Sequence, residues 1–119
     1  MELEELIDEY KKMSSICYKT DYEDKKSVKQ HNKAVDRMYE IINYINLHYS
    51  KRGVNEFASL LHVKVNRTNI WAAVQILEKM NVDDDIEKIA LSIIKEEAEQ
   101  SVGMEYWLKE YMNKNNISS

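Results

Sequence analysis

The residues in this chain whose types could carry chemistry are three histidines, one cysteine and a run of three aspartates. His31, His48 and His62 lack the i, i+4 pairing and the intervening glutamate of a helical zinc site, so each reads as an ordinary polar residue on a helix face or end. Cys17 has no disulfide partner. It falls on the apolar side of a helical pattern, where a thiol packs as a small hydrophobe and is not activated. Asp83, Asp84 and Asp85 lack the interior glycine and terminal glutamate of a calcium loop, and read as the cap and first turn of a helix. Gly53 and Gly103 stand too far apart to build a phosphate loop. Glu96, Glu97 and Glu99 splay around one helix as a solvated face, and nothing marks a nucleophilic triad. No enzyme, cofactor or metal is therefore expected.

The elements that would position any site are helical. Proline is absent and glycine occurs twice, which leaves little turn chemistry for hairpins or sandwiches. The centre of the pattern is Asn69 to Met80, apolar or small almost throughout except at Gln75, Glu78 and Lys79. So narrow a polar stripe predicts a helix covered on most sides. Before it, three- and four-residue steps predict a first helix from Glu2 through Cys17 and a long second helix from Asp24 to Ser50, whose lysines 25, 26, 29 and 33 form a solvated face. Gly53 suits a left-handed residue that closes this helix, and a short amphipathic helix then runs from Val54 to His62. Asn66 to Asn69 offers side chains to cap the helix containing Trp71. Asp84 opens the next helix. Ser101 caps a last one, with Met104, Trp107, Leu108 and Tyr111 as its buried face. The fold class expected is all-α: one compact domain over residues 1–119 with five to six helices, residues 1–50 forming N-terminal helices and 53–112 two antiparallel helical hairpins.

Composition narrows the function. The chain has 119 residues with 44% hydrophobic content and a net charge of −4, enough to bury a core without staples. No stretch approaches the ~20 apolar residues that span a bilayer. The acidic opening, Glu2 to Glu9, lacks the basic and apolar regions of a signal peptide. A soluble cytoplasmic protein without membrane contact is expected. Basic residues lead from Lys25 to Arg67 and acidic ones from Glu78 to Glu110, which disfavours direct nucleic-acid binding and favours a basic partner.

Val63-Lys-Val-Asn-Arg67 followed by Trp71-Ala-Ala-Val-Gln-Ile-Leu77 resembles the inter-helix turn and second helix of a HEAT-type repeat. The segments Asp85–Leu91 and Met104–Glu110 are similar to the C-terminal unit of small bacterial HEAT-like proteins, some of them encoded beside polymorphic toxins of contact-dependent growth inhibition systems and taken to be immunity proteins. The resemblance covers the second half of the chain. It implies a short α-solenoid and a non-enzymatic binding module, an immunity protein that neutralises a basic toxin domain such as a tRNase, another RNase or a DNase. The alternatives are an intracellular HEAT-like adaptor and, third, a HEAT-like nucleic-acid enzyme. The partner surface expected is the polar stripe of the second helix in each hairpin: Trp71 as aromatic anchor, Gln75 as hydrogen-bonding residue and Glu78 and Glu105 as charges, extended by Asp84 and Glu87.

Overall fold

The computed structural model describes residues 2–115 and contains helices but no strands among them. Six α-helices follow one another: α1 (Leu3–Tyr18), α2 (Lys25–His48), α3 (Ser50–Phe57), α4 (Thr68–Lys79), α5 (Asp84–Ala98) and α6 (Val102–Lys114). Between α3 and α4 the chain tightens into two 3₁₀ turns, Ala58–His62 and Val65–Arg67. No helix of the described residues is long and apolar enough to cross a membrane.

Helix starts follow local chemistry. Asp24 caps α2 by accepting from the Lys26 amide at 3.0 Å, and Asp83 caps α5 through Ile86 at 3.4 Å. Ser101 caps α6 through Met104 at 3.2 Å. The aspartate run thus does what its position predicts, with Asp84 and Asp85 in the first turn of α5, where negative charge suits the helix dipole. The start of α4 departs from expectation. Its cap position is Arg67, with no side-chain cap, and the chain enters through two consecutive left-handed residues, Asn66 and Arg67. Asn69 N–H instead bonds back to the Val63 carbonyl at 2.8 Å.

The break after α2 also differs. The left-handed residue is Ser50 (φ 50°), and Gly53 lies inside α3 with ordinary helical φ. Gly53 is there for space. A Cβ built on it would meet the Tyr49 Cβ at 2.5 Å and the Ile45 Cγ2 at 2.7 Å, so only a hydrogen lets α3 fold back this closely on the last turn of α2.

Helices α1 and α2 form an antiparallel pair, tied across the seam by Glu9 and Arg37 and near the connection by Thr20 and His31. The core lies between this pair, α3 and its 3₁₀ extension, and α4. Tyr10, Met38, Ile41, Ile42, Ile45, Phe57, Leu60, Ala72, Ala73 and Ile76 are fully enclosed there, and the larger apolar ones each contribute about 1.5–3 kcal/mol. Tyr10 meets the edge of Phe57 with centroids 4.7 Å apart. Ala72 and Ala73 leave room for neighbours on both sides of α4. Helix α5 adds Ala90 and Ile94, while α6 contributes no fully buried residue.

Candidate functional site

The six residues expected to form a partner surface do not form one. The stripe Thr68, Trp71, Gln75 and Glu78 turns inward along most of its length, because α4 is roofed by α1 and α2. Gln75 is completely enclosed, and the Tyr10 hydroxyl donates to its Oε1 at 2.8 Å. No partner reaches it. Its Nε2 lacks a hydrogen bond within ordinary geometry, although the amide also acts on Tyr39, opposing the burial and the Glu78 charge that push that phenol up to about 12. Trp71 is half-buried against the core, its ring 6.2 Å from that of His31. It closes the α2–α4 seam instead of standing as an anchor. Glu78 does reach the surface, where it accepts from Tyr39 at 3.1 Å.

Cys17 is buried, and burial pushes its thiol up, which keeps it protonated and unreactive. The strongest ion pair is Arg37 with Glu9, two-pronged, with Nη2 to Oε1 at 2.8 Å. The Arg37 hydrogen bond holds the Glu9 carboxyl below its usual range. This pair joins α1 to α2 and is structural.

Two open grooves stand out among the described residues. One, about 620 Å³, lies between the turn before α4 and the face of α5, lined by His62, Lys64, Lys88 and Ser92 among others. Its walls are of mixed charge and are tied together by Arg67 and Glu97. The second, about 1230 Å³, lies between the C-terminal end of α4 and α6. Leu77, Tyr106, Trp107 and Tyr111 supply its apolar lining, with Glu78 and Glu110 among its polar groups. Trp107 and Tyr111, one helical turn apart, stack with centroids 5.3 Å apart and planes 8° from parallel.

The structure divides the carboxylates of this half of the chain, Glu96 and Glu97 lining the first groove and Glu78 and Glu110 the second. From Glu78 to Glu110 ten carboxylates stand against four lysines. Glu87 lies close enough to Tyr111 to add to burial in pushing that phenol up. Asp84 is exposed in the first turn of α5, at the end from which α4 arrives. Glu105 is exposed on α6 and pairs with Lys109 at 3.3 Å, outside the groove lining. The structure therefore gathers Glu78 and Glu87 near α6 and leaves Trp71 and Gln75 behind α2 and α1. The residues missed are Tyr106, Trp107, Tyr111 and Glu110. Met104, Trp107, Leu108 and Tyr111 do form the inner side of α6, each half-buried and the first three packed against the core, and Trp107 and Tyr111 also line the groove.

Comparison with known protein families, with characterised proteins and with solved structures gives no match to this chain.

Proposed function

We propose that this protein is a non-enzymatic binding module that occludes a basic protein partner, as an immunity protein does to a nuclease toxin. The observation that carries the reading is the joining of exposed aromatic surface on α6 to the carboxylates of Glu78, Glu87 and Glu110. Interfaces draw their energy from aromatic anchors ringed by polar groups. A nuclease site is basic because it must hold a phosphate backbone, so carboxylates presented here would compete for the same side chains and speed encounter by steering. The toxin-linked part of the reading rests on the resemblance of residues 63–77, 85–91 and 104–110 to HEAT-like immunity proteins.

The test is co-expression with the product of the gene immediately upstream, followed by affinity capture and growth rescue. A tight complex that protects the cell, weakened by salt and by Glu78→Lys, Asp84→Lys or Glu87→Lys, is the expected result. A complex indifferent to salt and to all three reversals overturns the electrostatic account. Absence of both complex and protection overturns the immunity reading in favour of an adaptor.

A further inference from the structure

We infer that the groove between α4 and α6 seats a short segment of the protein partner that carries an apolar anchor flanked by arginine or lysine. This deepens the reading above and rests on it. The groove, at about 1230 Å³, is larger than the ~300–1,000 Å³ typical of small-molecule pockets, and it is open along the length of α6, which suits a peptide segment.

Its chemistry selects the segment. Leu77, Tyr106 and Trp107 offer apolar surface, and Tyr106 is 67% exposed. Trp107 and Tyr111, stacked on each other and half-buried, both line the groove, and the ring surface they leave open carries a negative quadrupole that attracts a cation, most strongly a guanidinium. The carboxylates are free to answer it: Glu110 has no ion pair among the described residues, and Glu87 stands by Tyr111. The nearby cations are largely engaged. Lys79 lies over the Tyr39 ring at 5.8 Å, and Lys109 is held by Glu105, leaving Lys114 at the far end of the lining. An acidic segment would meet Glu78 and Glu110 with only Lys114 uncommitted to balance them.

The test uses the full chain carrying Trp71→Phe, so that Trp107 is the sole tryptophan reporter. The probes are an amphipathic Leu–Lys–Arg peptide and its Leu–Glu counterpart. Saturable quenching of Trp107 by the basic peptide is expected, with amide NMR shifts confined to α6 and the end of α4. Tyr106→Ser with Glu110→Lys should weaken it by about tenfold, a loss near 1.4 kcal/mol, and because both residues are exposed, the helical circular dichroism should not change. Equal binding of both peptides, no saturation, shifts centred on α2, or a concentration-dependent dimer that buries Trp107 without peptide would each overturn the inference. The two readings separate in the cell. Peptide binding without protection from the upstream product sinks immunity alone, whereas protection unchanged in Tyr106→Ser/Glu110→Lys sinks the groove alone.

Discussion

At the scale of single residues the informative position is Gln75. Its side chain is a polar group set in an apolar interior, satisfied on its oxygen by Tyr10 and unpaired on its nitrogen. A buried polar group left without its partner costs about 1–3 kcal/mol, whereas replacing both partners by apolar groups of similar shape is nearly neutral. Tyr10→Phe and Gln75→Met should therefore each destabilise by about 1–3 kcal/mol, since each leaves the other's buried group unpaired, and the Tyr10→Phe effect should shrink in the Gln75→Met background. Urea unfolding of the four proteins of this cycle measures it. A Gln75→Met chain that folds normally but loses its partner would contradict the enclosed position. Arg37 and Glu9 are the other decisive pair: Glu9→Gln should cost about 1–2 kcal/mol at neutral pH.

At the scale of elements, the joint between α2 and α3 assigns its two small residues opposite duties. Ser50 adopts a positive φ that favours glycine, while Gly53 sits where a Cβ has no room. Ser50→Gly should be neutral to stabilising, by up to about 1 kcal/mol, since relief of the left-handed backbone exceeds the added freedom of the unfolded chain. Gly53→Ala should destabilise by about 1–3 kcal/mol as α3 is levered off Ile45. Thermal unfolding of the two variants checks both signs, and a stable Gly53→Ala protein would mean that α3 has slack against α2. Helix α6 poses the complementary case. It is well capped yet contributes nothing fully buried, so its amides should exchange faster than those of α2 and α4, whose opening requires the core to open.

At the scale of the molecule, pH acts on stability at both extremes through groups that the fold perturbs. Hydrogen bonding to Arg37 lowers the folded pKa of Glu9. The stability it contributes is present above the unfolded carboxylate range and is lost as pH falls through the folded value. Burial first, then Glu78, raises Tyr39 to about 12, and burial raises Tyr10 well above its ordinary value. Their contribution is complete below the unfolded phenol value of about 10 and disappears as pH rises through the folded ones. Denaturation midpoints should thus form a plateau at neutral pH and fall at both ends. Tyr39→Phe should flatten the alkaline limb and Glu9→Gln the acid one; limbs unchanged by these substitutions would assign the titrations elsewhere.

What the sequence determined by itself is what short-range geometry controls. Periodicity and the lack of proline are enough for an all-helical chain; Asp83 and Ser101 mark where helices begin because a cap bonds only three residues ahead; and the apolar setting of Cys17 is written in its own helix. The acidic bias from Glu78 to Glu110 is likewise a property of composition. The tertiary structure decided which faces are covered. Gln75 looks like a surface residue until Tyr10, 65 residues away, closes over it. Gly53 looks like a turn until the backbone of α3 comes down on Ile45. Trp107 and Tyr111 read as a buried face, and the structure leaves them half-buried along a groove, since α6 packs on one side only. Each of these depends on a neighbour supplied from elsewhere in the chain, and local pattern records only that a face is apolar, never whether something arrives to bury it.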